Sequence, residues 1–257
     1  MLLVIDVGNT NIVMGVYDEK ALVISWRLRT ERNATEDEFI FLATGLFANG
    51  DIAVTAIDTT VISCVVPPMT SILDIFCRKY LNHAPHWVDA RSYRDMPVLC
   101  DNPAEVGADR IVNAVGAYDK YRCSLIVVDF GTATTFDAIS QRGEYLGGAI
   151  SPGIVIAAEA LALKASKLPR VELLTPPQHV IGKNTIHSMQ SGLIFGYAAL
   201  VDGMVARMKA ALEPPVKVVA TGGQARLIAE VAESIDSEEP QLTLEGLRII
   251  SRAMVGV

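Results

Sequence analysis

The chain has 257 residues, with 22 Lys and Arg against 29 Asp and Glu, for a formal net charge of -7 at pH 7. Apolar residues make up 51% of it, enough for a proper core, while an acidic balance without a Lys/Arg cluster argues against nucleic acid as the main partner. Mean hydropathy is +0.33, yet no uncharged apolar run reaches the roughly 18–20 residues of a membrane span.

Met1 leads directly into a strand pattern with no basic leader region, so no secretory signal is expected. Cys64, Cys77, Cys100 and Cys123 are scattered and form no C-x-x-C pair. They read as reduced thiols of a cytoplasmic protein. His83 and His86 are three apart, but Pro85 between them prevents a regular helix and argues against a metal pair.

In chain order, residues 2–5 form a short β-type run, the Gly-Asn-Thr stretch turns, and residues 12–17 form a second run. Residues 21–28 read as a third strand. Thr35 with Glu38 three residues on is a capping-box pattern that opens a helix carrying Phe39, Leu42 and Leu46. Residues 59–66 are β-branched, 67–80 predict a helix, and "HWVDA" a short closing strand. The same order then returns. Residues 125–128 lead into "DFGTATT", 135–139 and 145–150 follow as strands, and 154–167 predict a helix. A helix over 185–212, a strand over 216–220 and a helix over 225–233 complete the pattern. "ESIDSEEP", residues 233–240, reads as a solvated acidic loop.

Two units that each open with strand-Asp-x-Gly imply an internal duplication, with residues 1–117 as one domain and 118–257 as the other. The motif is neither a dinucleotide-binding fingerprint nor a P-loop, because its turn leads into a strand and both spacings are missing. A strand-turn-strand hairpin still offers a phosphate close backbone approach and free N–H groups. The Asp at the strand end would repel bare phosphate, so its role is to bind a cation that bridges to the phosphates. A plain hairpin explains either copy alone; the pair favours the phosphate reading. The arrangement resembles the actin-like superfamily of sugar kinases, Hsp70-type chaperones and actin. That resemblance implies two duplicated actin-like (ribonuclease H-like) α/β domains, each a mixed β-sheet flanked by helices, with the active site in the cleft between them. "ATGGQA" at residues 220–225 fits the superfamily's Gly-Gly turn near adenosine.

Between the halves, Gly107-Ala108-Asp109-Arg110 opens a predicted helix. A helix N-terminus suits an anionic substrate, Arg110 can grip a carboxylate and Asp109 can accept a proton from an attacking hydroxyl. The plainer alternative is that Asp109 caps the helix and Arg110 makes a surface ion pair. Gly192 and Gly196 form a G-x-x-x-G spacing, which in most soluble helices marks close packing and less often a dimer interface.

"DVGNTN", "NPAEVGADRIVNAVGA", "VVDFGTATTFD", "GGAISPG", "IGKNTIHSMQSGLIFGY", "ATGG" and "LTLEGL" occur in order over nearly the whole chain. Together they resemble type III pantothenate kinase, a family that phosphorylates pantothenate to 4'-phosphopantothenate with ATP in the first step of coenzyme A synthesis. The resemblance implies that Asp6, Val7, Gly8, Asn9, Thr10, Asn11, Ile12 and Val13 hold ATP, with Asp6 near magnesium, directly or through water. Thr132, Gly222 and Gly223 would also touch ATP. Asp109 would be the general base, and Gly107, Ala108, Asp109 and Arg110 would bind pantothenate. Asp129 would bind a monovalent cation, potassium or ammonium. Thr185 would reach pantothenate, from the partner subunit of a homodimer. Cys100 stands where the family has an aromatic, often Tyr, beside the substrate. The competing readings are a kinase of another small hydroxylated substrate and a nucleotide-dependent regulator.

Overall fold

The computed structural model describes residues 1–90, 93 and 95–255, Val255 by its backbone alone. In chain order its elements are β1 (Leu2–Val7), β2 (Asn11–Asp18), β3 (Ala21–Arg29), α1 (Glu36–Asn49), β4 (Thr59–Cys64), α2 (Pro67–Tyr80), β5 (His86–Trp87) and α3 (Ala108–Tyr121). There follow β6 (Ser124–Phe130), β7 (Ala133–Ile139), β8 (Tyr145–Pro152), α4 (Ile154–Lys164), α5 (Thr185–Lys209), β9 (Val216–Thr221), α6 (Ala225–Ala229), β10 (Ser237–Glu238) and α7 (Leu242–Val255). Two compact units result. Met1–Met96, Asp101–Gly116 and Leu242–Val257 form one; Pro97–Cys100 and Ala117–Gln241 form the other.

The sheet of the first unit has the order β3-β2-β1-β4-β5. β1 and β2, and β2 and β3, are antiparallel, while β1, β4 and β5 run parallel. Side chains alternate along a strand, and the two faces of β1 are used differently. Leu3, Ile5 and Val7 enter a core with Phe39, Phe47, Ile62 and Phe76 from α1, β4 and α2. The capping box that starts α1 is formed: Glu38 N donates to Thr35 Oγ1 at 3.3 Å and Thr35 N to Glu38 Oε2 at 2.8 Å.

The opposite face of this sheet receives α7. A Cβ on Gly15 would lie 3.1 Å from Leu244 Cδ1 and 3.3 Å from Val4 Cγ2. Tyr17 OH donates to Glu245 Oε1 at 2.8 Å, and Arg248 Nε to Glu245 Oε2 at 2.9 Å. Burial, then the Glu245 carboxylate, push the Tyr17 hydroxyl well above its ordinary pKa, so it stays a donor. α3 lies on α7: Thr243 Oγ1 donates to Asn113 Oδ1 at 2.7 Å, and Gly246 admits the Val112 backbone where a side chain would not fit. The sequence reading kept residues 242–255 with the second half of the chain. Their apolar stripe instead covers β1, β2 and β4.

The second sheet repeats the first. Its order is β10-β9-β6-β7-β8, with antiparallel β6-β7-β8 and parallel β6, β9 and β10. Ile126, Val128 and Phe130 of β6 meet Leu193, Ile194 and Val201 of α5 in its core. α5 is the one helix among the described residues long and apolar enough, by length and composition, to cross a membrane. Its Leu193, Ile194, Ala198, Val201 and Val205 are buried in this core, and 39% of its apolar window is buried in all.

Two local expectations are corrected. Residues 233–240 are not a solvated acidic loop. β9 has an open edge there, and β10 pairs with it through Ser237 opposite Val219 and Glu238 opposite Ala220. Two of the segment's four acidic side chains have partners: Asp236 Oδ2 accepts the Val218 N–H at 2.7 Å, and Glu239 Oε1 accepts from Lys120 Nζ at 2.6 Å and from Tyr121 OH. Gly192 and Gly196, expected at a close helix contact, face open space, since a Cβ on either would meet nothing within 4 Å.

Candidate active site

The turn between β1 and β2 carries the first candidate phosphate grip. Gly8 N donates to Asn11 O at 3.0 Å, which leaves Asn9 and Thr10 exposed at the tip. Asp6 is the last residue but one of β1 and stands in register with Val13 on β2 and Ser63 on β4. It shares the α7 side of the sheet with Val4, because the odd-numbered positions of β1 fill the core. The chain after β3 returns to the turn. Thr30 Oγ1 donates to Gly8 O at 2.6 Å, Thr30 N to Thr10 O at 2.9 Å, and Arg32 Nη2 to Asn9 Oδ1 at 2.7 Å.

Asp109 lies in the first turn of α3 with Gly107 and Ala108 just before it. Its Oδ1 accepts the Arg110 backbone N–H at 2.9 Å. Burial raises the Asp109 carboxyl above its ordinary pKa. The N–H bond and the Arg110 charge pull it down but do not prevail. Asp109 is the second residue of α3, inside its first turn, and its carboxylate takes the N–H of the very next residue. Arg110 is half-buried.

In the second unit Asp129 occupies the place on β6 that Asp6 has on β1, the last position but one, with Thr221 of β9 beside it in register as Ser63 is beside Asp6. Thr132 is exposed at the β6–β7 turn, and its carbonyl accepts the Gly153 N–H at 3.1 Å. Gly222, with φ +94°, follows β9 and packs against the Asp129 carboxylate and the Phe130 backbone. Gly223 next to it is exposed. Asp129 and Gly222 are thus brought into contact, so the Gly-Gly turn packs against the end of β6 that leads into the second hairpin. Cys100 sits beside β8, where a Cβ on Gly147 would be 3.7 Å from its Sγ. Thr185 is exposed at the first position of α5, after Asn184, whose Oδ1 accepts the His187 N–H at 2.8 Å.

The donor chemistry fits the groups the resemblance implies. Among the described residues no three His, Cys, Asp or Glu side chains form a metal cage. Asp6 offers one hard carboxylate, and magnesium is commonly held by one or two of these with water and substrate phosphates. Asp129 offers a hard carboxylate ligand for an alkali cation.

A family model described as type III pantothenate kinase matches residues 2–207. Proteins named type III pantothenate kinase from Desulfatibacillum aliphaticivorans and Desulforapulum autotrophicum are 64% and 60% identical to this chain. The first match covers 97% of this chain and 97% of the relative, the second 98% and 96%. This chain belongs to the type III pantothenate kinase family. Two solved structures share its fold. A putative Baf family transcriptional activator from Campylobacter jejuni has a TM-score of 0.61 at 20% identity, with 99% of this chain and 100% of that one covered. The putative N-acetylglucosamine kinase from Porphyromonas gingivalis has 0.53 at 12%, with 100% of both chains covered. At those identities the likeness concerns architecture alone. The two sheets share one strand order, so the duplication that the motifs implied is present.

Sequence reasoning passed over Ser63 and Arg32, and held Thr221 only as part of the Gly-Gly turn. Ser63 and the place of Thr221 beside Asp129 are found only through strand register. Arg32 lies in a loop without a motif, and only the returning chain puts it at the hairpin.

Proposed function

We propose that the protein phosphorylates pantothenate at its primary hydroxyl with ATP, giving 4'-phosphopantothenate for coenzyme A synthesis in the cytoplasm. Family membership supports the reaction, and one observation carries the site reading: Asp6 and Asp129 end equivalent strands of two sheets with the same strand order. Residues 6–13, Thr132, Gly222 and Gly223 take the nucleotide. When bound, magnesium supplies charge neutralisation on the phosphates. Asp6 would hold it, and Asp129 would hold potassium or ammonium. Phosphoryl transfer asks the protein mainly for positioning and charge stabilisation.

Asp109 takes the hydroxyl proton. Burial raises its affinity for that proton, and a base works best when its pKa lies closer to the working pH. Gly107, Ala108 and Arg110 seat the substrate, Arg110 against its carboxylate, and Cys100 lines the pocket where relatives carry an aromatic.

A homodimer accounts for the apolar surface of the second unit. β8 is an edge strand with Leu146 and Ile150 exposed, α4 exposes Val155, Ile156 and Leu163, and α5 exposes Gly192 and Gly196. Exposed apolar surface of this kind marks interaction sites, and small residues admit a second helix closely. Thr185 of the same helix then reaches the partner's substrate.

The test is ADP release from ATP with and without pantothenate, in potassium and then in sodium buffer. Release that depends on both pantothenate and potassium supports the assignment. None in potassium refutes it.

A further inference from the structure

One positive side chain at the first hairpin has no part in the site just described. Arg32 is exposed, lies three residues beyond the end of β3, and is tied by Nη2 to Asn9 Oδ1 at the tip of the turn (2.7 Å). The tie is made rigid from behind, because Thr30 bonds both Gly8 and Thr10 of the same turn. A long, solvated arginine would otherwise forfeit side-chain entropy to hold one position. Its guanidinium has five donors in a fixed fork, and Asn9 takes one of them.

The neighbouring edge strand adds charge of the same sign. Arg29 pairs with Asn11, and Arg27 pairs with Val13, which pairs with Asp6. Residues directly opposite in a ladder share a face, so exposed Arg27 and Arg29 stand on the Asp6 side of the sheet. Arg27 and Arg29 offset on that side the charge of Asp6, which by itself would repel phosphate.

We infer that Arg32, held by Asn9, is a further contact for the terminal phosphate of ATP. The inference rests on reading residues 6–13 as the phosphate grip. The terminal phosphate is assigned because Asp109 opens α3, which lies on α7, the helix that covers the Asp6 side of this sheet. The phosphoryl group to be transferred must lie in line with the hydroxyl that the base holds. A charge-assisted, geometrically fixed bond of this kind discriminates a nucleoside triphosphate from a diphosphate.

The experiment compares equilibrium binding of ATP and of ADP, with magnesium and potassium and without pantothenate, in wild-type protein and in Arg32→Ala, Arg32→Lys and Asn9→Ala. Melting temperatures confirm that each variant is folded. In Arg32→Ala, ATP affinity should fall about 10-fold or more, the usual scale for a lost hydrogen bond to a charged group, while ADP affinity holds within about twofold. Arg32→Lys should recover part of the difference, and Asn9→Ala should shift the ATP-to-ADP ratio in the same direction by less. Equal weakening of both nucleotides, or of neither, overturns the inference. So does a rise in the KM for pantothenate with ATP binding unchanged, which would make Arg32 an acceptor-side residue. The underlying reading fails separately: wild-type protein that binds ATP but releases no ADP with pantothenate refutes the kinase assignment and leaves the nucleotide ratio to be judged alone.

Discussion

The Asp129 carboxylate rests against Gly222 so closely that a Cβ there would overlap its Oδ1 and crowd the Phe130 backbone N at 2.7 Å. The contact joins the end of β6 to the turn after β9, two segments more than ninety residues apart. It holds only because Gly222 has φ +94°, a conformation that L side chains rarely adopt.

Gly222→Ala should therefore cost both stability and activity. Left-handed backbone strain alone is worth roughly 1–3 kcal/mol, and the methyl group must also displace Asp129. A lowered melting temperature with a raised KM for ATP is the expected result. Replacing exposed Gly223 by Ala should do less to the melting temperature.

Asp109→Asn separates function from fold. Losing a general base lowers kcat by roughly 10²–10⁴, with ATP binding largely kept. Burial raises the Asp109 carboxyl in the folded state above its unfolded value. The folded protein thus binds that proton more tightly, and this term favours folding at low pH and is lost as pH rises through the folded value. At neutral pH the buried charge is a cost that Asn removes, so the melting temperature should hold or rise. Wild-type turnover in this variant would exclude Asp109 as the base.

The same shift sets the acid limb of the wild-type rate. The base acts only when deprotonated, so kcat/KM should fall with pH around an apparent pKa above the ordinary Asp value of about 3.9. A profile flat down to that value would contradict the assignment.

Asp129→Ala should remove the advantage of potassium over sodium. ADP release measured in both buffers reads this directly.

For the apolar face, Ile150→Asp places a charge on an exposed strand position where Ile150 is 65% exposed. The monomer fold should survive, because that side chain is outside the core. The assembly should dissociate on size exclusion with light scattering. An unchanged mass would move the interface elsewhere.

The sequence by itself determined the alternation of strands and helices, the duplication, and the aspartates proposed for the chemistry. Those features are local: apolar periodicity, the Thr35–Glu38 cap, and an Asp-x-Gly corner at the end of a strand. Helix α2 begins and ends where proline and periodicity place it. Only the tertiary structure decided that α7 returns to the first sheet, that β10 closes the edge of β9, and that Arg32 meets Asn9. These are pairings between distant segments, chosen by which open edge or apolar face remains to be covered, and no local pattern records that choice. The two aspartates were visible as a repeated motif. Their equivalent neighbours, Ser63 and Thr221, follow from register alone, because strand pairing is fixed by the whole sheet.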